Sequence, residues 1–507
     1  MWYEWIQRAK DGGQRVLVAL AVNNHAIADA AETSGYKDDL RSMNKQIREL
    51  KAFVRRHNDF MELALSSDQL RDIVRRNKLA IVLGVEMDNL GNFYDPVARK
   101  GGKYKPDPSP EDIGAEIDRL FNLGVRYIFP IHLTNNVFGG SALYDDLFNI
   151  SNKYNTRKAF EVEEVDSTSG IEFQLKHPLM ALPDSKFFGF FGHTIANVIR
   201  AVPGPSPSLM QHLALITEAL GVVSSFANLE PVPKSVFPYS GNYPTYPSTE
   251  HKGHRNALGL TENGEFAIKH MMKMGMIIDI DHMSEKAVSQ VIRIAEEFHY
   301  PLNSGHNHTR RGSWNGTGTN ENNRTEAQYR SIRRFGGMMG FGFGGEKGAK
   351  EFANNFKDIF GNLNHRQIAI GTDINGLFPA PGPQVSASQL EQWTDNPSAY
   401  TFASRRQASE MIVYSDNVGA SRESLKKCKT GKRSWDYSFE GFVHYGMFPD
   451  FLEDLHVRGH LATGHLTAFL NSAEYFARMW EKSENAAIRL SQPGNRWLEP
   501  MLNIMMS

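Results

Sequence analysis

Residues 79–86 read Leu-Ala-Ile-Val-Leu-Gly-Val-Glu, an apolar run of strand length that ends in a carboxylate. Short runs of this kind, rich in β-branched residues and bounded by polar or glycine-rich segments, are typical of buried strands. Six more such runs recur, most of them followed by a helix-like stretch. They are Val16–Val22, Val125–His132, Met276–His282, Pro301–His306, Gly337–Phe343 and Gln367–Asp373. The alternation predicts an α/β fold in which helices cover a parallel sheet.

The count of predicted strands is seven, one short of the eight that close a TIM-like (β/α)8 barrel. The deficit lies at the start. The chain opens with a helix-like segment, Trp2–Lys10, and a helix that begins such a barrel should follow a strand. We therefore predict a (β/α)8 barrel that lacks its first strand. An alternative count, in which the eighth strand lies inside a long insertion, stays open.

Two stretches exceed what a minimal barrel needs. Residues 145–250 and 377–440, approximately, are rich in Pro, Gly, Ser and aromatic residues. We predict that both are loop insertions within a single barrel domain that spans residues 1–507. Loops after strand ends lie over the active face of a barrel, so both insertions are expected to shape access to a site.

The composition excludes several classes of protein. Lys and Arg number 56 against 57 Asp and Glu, a formal charge of -1, so no global field attracts nucleic acid or an anionic membrane. The single cysteine, Cys428, excludes an intramolecular disulfide framework and a cysteine-rich zinc site. No run of ~18 apolar residues is present. The charged start is unlike a secretory signal, so we expect a soluble protein, cytoplasmic by default, with its compartment open.

Five of the predicted strands end in a side chain that can bind a metal or move a proton. These side chains are Glu86, His132, His282, His306 and Asp373. In a parallel barrel all the carboxyl ends of the strands lie on one rim, so distant residues converge there. Imidazole and carboxylate suit zinc, with manganese or iron also possible. The alternative is that each is structural, as a hydrogen-bonded His or a helix-capping carboxylate.

Two sequence elements then make the pattern specific. Residues 260–264, Leu-Thr-Glu-Asn-Gly, precede a predicted helix, and residues 279–284, Asp-Ile-Asp-His-Met-Ser, end the next strand. They resemble the Leu-Thr-x-x-Gly and Asp-x-x-His-x-Ser elements of the membrane (renal) dipeptidase family, whose members are metal-dependent (β/α)-barrel hydrolases.

Further elements of that family follow in the same order. Residues 303–306, Asn-Ser-Gly-His, and 371–376, Gly-Thr-Asp-Ile-Asn-Gly, resemble its Ser-x-His and Gly-x-Asp-x-x-Gly elements. Val85-Glu86 and residues 131–136 match two earlier ones. The resemblance covers most of residues 79–376 outside the insertion and, more weakly, Tyr445–Trp480.

The resemblance implies a role for each of these residues. Glu86 would bridge two metals, and His282 and His306 would complete the ligands of the second metal. His132 would contact the substrate near the scissile carbonyl, and Asp373 would be the acid/base for the attacking water. Arg324 would bind the substrate carboxylate, although a solvated arginine at a helix start is an equal interpretation. The implied reaction is hydrolysis of a dipeptide or similar small amide by metal-activated water.

The family's first metal also needs a His-x-Asp pair on the first strand, and no such pair precedes Val16. His57-Asn58-Asp59 spells the tripeptide, but His57 continues the apolar helix stripe of Leu50, Val54 and Met61. Residues two apart on a helix point in different directions, so we interpret His57 as a helix residue packed outside the barrel. Asp279 and Asp281 alternate with His282 and, in a regular strand, would face away from it.

Other interpretations stay open at this point. A related barrel hydrolase could act on lactones, N-acyl amino acids or phosphoesters. A catalytically inactive barrel could serve as a binding or scaffold protein, which the missing His-x-Asp pair favours and the set of Glu86, His282, His306 and Asp373 disfavours. A homodimer is also possible.

Overall fold

The computed structural model describes residues 2–31, 38–93, 108–146, 148–176, 243–247, 249–310, 319–343, 348–362, 364, 366–374, 380–382, 428–430, 432–435, 437–457 and 459–492. Both predicted insertions fall largely outside these ranges, so their assignment as loop regions of one domain stays a prediction.

Strands and helices alternate along the described chain. The strands are β1 Val16–Asn23, β2 Met61–Leu63, β3 Leu79–Met87, β4 Val125–Phe129, β5 Val162–Asp166, β6 Lys252–Asn256, β7 Ile277–Ile278, β8 Asn303–Asn307, β9 Met338–Phe341, β10 Ile368–Ile370, β11 Cys428–Thr430 and β12 Arg433–Trp435. The helices are α1 Tyr3–Asp11, α2 His25–Ala31, α3 Asp39–Arg56, α4 Ser67–Arg75, α5 Pro110–Asn122, α6 Phe148–Thr156, α7 Glu262–Lys273, α8 Glu285–Phe298, α9 Glu326–Arg334, α10 Gly348–Lys357, α11 Tyr437–Glu440, α12 Phe448–Val457, α13 Thr463–Leu470 and α14 Ser472–Leu490.

The seven predicted strands all form, and they pair in parallel. One sheet has the order β1-β3-β4-β7, with β2 also on β3, and a second has the order β10-β9-β8. A parallel bridge between Asp279 and Asn303 joins the two sheets. The strand order therefore runs β1-β3-β4-β7-β8-β9-β10, and the predicted α/β fold with parallel strands is confirmed.

The sheet curves around a common interior. Apolar residues from strands at both ends of the order, among them Val18 of β1 and Ala369 of β10, pack in one cluster with Tyr127 and Phe129 of β4. The same cluster includes Trp480 of α14, which is fully buried. Within the described ranges no pairing joins β10 to β1, so the strands do not close into a barrel.

The helices cover the outside of the sheet through amphipathic faces. In α3 the residues Met43, Ile47 and Val54 are buried on one face, and Val54 belongs to the predicted apolar stripe. The prediction was wrong for Met61, because α3 ends at Arg56 and Met61 begins the short strand β2, which pairs in parallel with β3. None of the described helices is both long and apolar enough to cross a membrane.

His57 lies at the end of α3, where its ring stacks on Tyr3 with centroids 4.6 Å apart. Phe53 and Phe60 pack beside it. These contacts place His57 in an aromatic cluster that joins α1 to α3, which agrees with the interpretation that it packs outside the strands.

The described part of the first insertion forms a small subdomain beside the sheet. Strands β5 and β6 pair antiparallel. Leu143, Phe148, Phe160 and Phe173 form a separate apolar cluster near them. The buried carboxylate of Glu321 ties this region to the sheet, because it accepts hydrogen bonds from the backbone N–H groups of residues 143, 256 and 285 at 2.7, 2.7 and 2.9 Å. One side chain thus clamps three separate segments of the chain.

Candidate metal centre

The strand order brings the predicted site residues to the carboxyl ends of the strands. Glu86 is the next-to-last residue of β3, and His306 lies within β8. His132, His282 and Asp373 lie in the segments that follow β4, β7 and β10. Because the strands are parallel, residues that are almost 300 positions apart in sequence share one end of the sheet.

Three imidazoles turn the same ring nitrogen towards one carboxylate oxygen. The Nε2 atoms of His282, His306 and His132 lie 3.0, 3.6 and 3.7 Å from Glu86 Oε1. The Nε2 atoms of His282 and His306 lie 2.7 Å from each other. Glu86 is 2% exposed, so this convergence is almost completely removed from bulk water.

Burial and neighbouring charges set the protonation states of the residues in the site. Burial opposes ionisation of Glu86, but the three imidazoles outweigh burial and lower its pKa to about 2. Burial lowers the pKa of His282 to about 4, which keeps this ring neutral. Burial also disfavours the charged form of His306, but Asp373, Glu86 and Asp281 outweigh it and raise the pKa of His306 to about 9. Neutral imidazole and ionised carboxylate are the forms that bind a cation.

Asp373 lies at the same end of the sheet. Burial is the main cause that raises its pKa to about 6, and the neighbouring charge of His306 opposes the increase. A cavity of about 410 Å³ reaches this end of the sheet, and Glu86, His306 and Asp373 contribute to its lining. Asp373 has a left-handed φ of 49°, an uncommon conformation for a residue other than glycine.

Arg324 is completely buried, in contrast to the interpretation as a solvated arginine at a helix start. Its Nη2 donates to Asn322 at 3.1 Å, and its Nε lies 3.9 Å from a carboxylate oxygen of Asp281. Within the described residues, the Nε and Nη1 groups of Arg324 have no hydrogen-bond acceptor. A buried guanidinium with spare donors can bind a carboxylate, so its substrate role stays a prediction that this geometry supports.

The outward-facing Nδ1 atoms of the three histidines also have polar neighbours, which the sequence did not indicate. His282 Nδ1 is hydrogen-bonded to the Tyr144 hydroxyl at 2.7 Å. Asp88 Oδ1 lies 3.0 Å from His132 Nδ1, although the ring N–H is not aligned for a good hydrogen bond. Asp281 Oδ2 lies 3.6 Å from His306 Nδ1.

Asp281 does not turn away from the histidines, because the strand that carries it is shorter than predicted. β7 ends at Ile278, and His282 has a left-handed φ of 65°. The turn brings Asp281 under His306, whose backbone N–H donates to the Asp281 carboxylate at 2.8 Å. Burial disfavours the charged form, but His306 and Arg324 outweigh it and lower the pKa of Asp281.

The chemistry of this donor set fits a divalent cation. Ligand atoms of Glu86, His132 and His282 all lie within 4.8 Å of one another, and all three residues are buried. Glu86 Oε1 has no well-aligned hydrogen-bond donor among the described residues, although it is buried and ionised. A buried, unsatisfied carboxylate oxygen costs free energy unless a charge compensates it. Imidazole nitrogen with carboxylate oxygen is the ligand combination of zinc and related metals.

A sequence comparison relates part of the chain to a known protein family. Residues 244–382 match the sequence model of membrane dipeptidase, peptidase family M19. This segment includes His282, His306, Arg324 and Asp373, whereas Glu86 and His132 precede it. No curated protein sequence matches the chain.

Several solved structures are similar to the chain at low sequence identity. An amidohydrolase from Pseudomonas aeruginosa is 14% identical, with 95% of this chain and 92% of that chain covered and a TM-score of 0.45. Dipeptidase AC, a metallopeptidase of family M19, is 12% identical, with 94% and 88% covered and a TM-score of 0.45. A metallopeptidase from Rhodobacter sphaeroides, bound to a phosphinate mimic of the dipeptide L-Ala-D-Ala, is 12% identical, with 78% and 84% covered and a TM-score of 0.40.

The family match confirms the resemblance that the motifs at residues 260–264, 279–284, 303–306 and 371–376 predict. The segment 244–382 is therefore similar to the membrane dipeptidase family.

Proposed function

We propose that this protein hydrolyses the amide bond of a dipeptide or a similarly small substrate, with a water activated at the Glu86 cluster. The observation that carries the proposal is the convergence of three imidazole Nε2 atoms on one buried carboxylate oxygen, at 3.0 to 3.7 Å. A structural ion pair needs one cation near a carboxylate. Three imidazoles around one carboxylate, at a strand end beside a cavity, are typical of a metal site.

Glu86, His282 and His306 are the residues that we assign as ligands, with zinc as the favoured metal and one or two cations bound. His132 is a further candidate, because its ring also faces Glu86. A bound divalent cation supplies Lewis acidity, which lowers the pKa of water and polarises a carbonyl. Burial keeps the imidazole of His282 neutral, and Glu86 is ionised. The pKa of His306 is raised to about 9, so this ring would lose its proton on binding a cation.

Asp373 is the residue that we assign to proton transfer. A carboxyl with a pKa of about 6 is mostly ionised at neutral pH and can still be protonated during a reaction. It would accept a proton from the attacking water and return it to the amine that leaves.

Arg324 and His132 are the residues that we assign to the substrate. The spare donors of the buried Arg324 suit a terminal carboxylate, which would select peptides with a free carboxyl end. His132 is buried between Asp88 and Glu86 and would donate to the carbonyl oxygen of the scissile bond. A cavity of about 410 Å³, lined in part by Glu86, His306 and Asp373, is of the size that binds small molecules, although Arg324 and His132 are not among its lining residues.

The test is hydrolysis by the zinc-loaded protein of a panel of dipeptides, N-acyl amino acids, lactones and phosphoesters. We expect turnover of dipeptides that Glu86→Ala abolishes. Glu62→Ala is the matched control, because Glu62 is ion-paired with Arg76 and Lys78 and takes no part in the cluster. Preferred turnover of another substrate class would overturn the dipeptide assignment. Zinc binding without any turnover would favour a binding or scaffold protein.

A further inference from the structure

Tyr144 lies in the segment between β4 and α6, and its hydroxyl contacts the ring of His282. The hydroxyl oxygen is 2.7 Å from His282 Nδ1, on the side of the ring opposite to Glu86. We propose that Tyr144 is a positioning residue that fixes the ring of His282 and accepts a hydrogen bond from its Nδ1–H when the lone pair of Nε2 binds a cation. The inference rests on the proposed function, because it assigns Tyr144 a role at the same metal site.

Two tautomers of neutral His282 compete in this environment. With the proton on Nε2, this nitrogen has no lone pair for a metal; it lies 3.0 Å from Glu86 Oε1 without good hydrogen-bond alignment. The Tyr144 hydroxyl would then donate to Nδ1. With the proton on Nδ1, the ring donates to the Tyr144 hydroxyl, and Nε2 is free. The hydrogen bond at one ring nitrogen decides which tautomer is present. Removal of the Tyr144 oxygen would leave the buried Nδ1–H of the metal-binding tautomer without this acceptor, so it should weaken cation binding at Nε2.

The backbone of His282 adopts an unfavourable conformation that the surrounding structure stabilises. Its φ of 65° lies in the left-handed region, which costs about 1–3 kcal/mol for a residue other than glycine. The backbone N–H of His282 donates to Asn322 at 2.9 Å, and its carbonyl oxygen accepts from the N–H of Ala142 at 2.7 Å. These bonds fix the main chain, whereas the Tyr144 hydroxyl acts on the ring itself.

The position of Tyr144 is in turn set by the first insertion. Its ring packs edge-on against Phe148, with centroids 5.0 Å apart, and it borders the apolar cluster that includes Leu143 and Phe160. Ala142, two residues earlier, is hydrogen-bonded to His282. Packing of the insertion is thereby connected to a proposed metal ligand through one side chain.

Tyr144 also differs from the neighbours of the other two histidines. Asp88 lies beside His132 and Asp281 beside His306, and both are carboxylates. A phenol brings no charge. It can therefore orient His282 without stabilising the imidazolium, which would compete with a cation. Polar partners of metal-binding histidines typically change metal affinity by about 10- to 100-fold.

The experiment is a competition titration of zinc against a chelator for the wild type, Tyr144→Phe and Tyr246→Phe. Tyr246 is the matched control, because it borders the same apolar cluster and its hydroxyl also makes two hydrogen bonds. Those bonds, from Asn149 at 2.7 Å and to the Phe160 carbonyl at 3.1 Å, do not involve His132, His282 or His306. We expect zinc dissociation constants about 10-fold or more higher for Tyr144→Phe and unchanged for Tyr246→Phe.

A second readout separates positioning from loss of folding. The melting temperatures of the two metal-free variants should be similar, whereas the increase on adding zinc should be smaller for Tyr144→Phe alone. In a His282→Asn background, Tyr144→Phe should not weaken zinc binding further, because its target ring is gone.

Each outcome has a separate meaning. Failure of the wild type to bind zinc would contradict the proposed function and, with it, this role of Tyr144. Zinc binding by the wild type that Tyr144→Phe leaves unchanged would refute the inference alone. Equal weakening by both tyrosine variants, or a further loss in the His282→Asn background, would also refute it, since the hydroxyl would then act through general packing.

Discussion

Gly371→Ala tests how tightly the strands that carry the site are packed. A Cβ at Gly371 would overlap the carbonyl oxygen of Gly305 in β8, and it would lie 2.8 Å from the Gly305 carbonyl carbon and 3.1 Å from the Cα of His306. All three obstacles are backbone atoms, so no side chain can rotate away. The strand cannot simply shift, because the N–H of Gly371 donates to the Phe341 carbonyl at 2.8 Å.

Overpacking of this kind costs about 1–3 kcal/mol, and a backbone obstacle places Gly371→Ala near 3 kcal/mol. The displacement would fall between His306 and Asp373, so zinc affinity and dipeptide hydrolysis should decrease as well. Urea unfolding of the metal-free protein measures the free energy of unfolding.

Gly464→Ala is the matched control for this prediction. It lies in α13, and a Cβ there meets nothing within 4 Å. Alanine in a helix is favoured over glycine by about 0.5–1 kcal/mol, so this variant should be slightly more stable. A Gly371→Ala protein with the same unfolding free energy and zinc affinity as the wild type would refute the close packing of β10 on β8.

Three further predictions concern single residues. Glu321→Ala removes the acceptor of three buried backbone N–H groups. The free energy of unfolding should fall by about 3 kcal/mol or more, and limited proteolysis should cut near residues 243–256 first. Unchanged stability would contradict the proposed linking role of Glu321. Arg324→Met should lower kcat/KM for dipeptides about 10- to 100-fold, as expected for loss of charge-assisted hydrogen bonds. The kcat/KM for dipeptide amides should hardly change, because these substrates have no terminal carboxylate. Equal losses for both kinds of substrate would argue against carboxylate binding. The pKa of His306 is raised from 6.5 to about 9 by Asp373, Glu86 and Asp281 against the effect of burial, so its protonated form stabilises the metal-free fold. That contribution is complete below pH 6.5 and is lost as the pH rises through about 9. The difference in melting temperature between wild type and His306→Gln should therefore shrink over this range, and a constant difference would contradict the assignment.

The sequence predicted the parts of the fold that depend on local pattern. The run from residue 79 to 86 becomes β3, with Glu86 next to its last residue, because a short, β-branched apolar run favours a buried strand. The order of strand-end residues then brings His282 and His306 beside Glu86, since parallel strands share one rim.

Other features depend on contacts that a linear pattern does not contain. Asp281 was expected to face away from the histidines on a regular strand, but β7 ends at Ile278 and the following turn reverses its direction. Tyr144 and Asp88 contact the imidazoles through tertiary packing, which involves the first insertion and β4. No spacing in the sequence marks either of them, because their partners lie 138 and 44 positions further along the chain.

The helix α3 shows a limit of periodicity itself. The apolar spacing of Met43, Ile47 and Val54 is that of a helix, and it continues to Met61 only by coincidence of register. The chain leaves the helix at His57 and enters β2, which pairs with β3 and buries Met61 in a cluster with Val54 and Phe60.

The most direct test of the metal site is the metal content of the protein, measured by elemental analysis after purification without chelator, in the wild type and in Glu86→Ala. We expect at least one equivalent of a divalent metal per chain in the wild type and its loss in the variant, because Glu86 is the carboxylate on which the three imidazoles converge. Absence of metal from the wild type even after incubation with zinc, or the same metal content in both proteins, would contradict the proposed metal site.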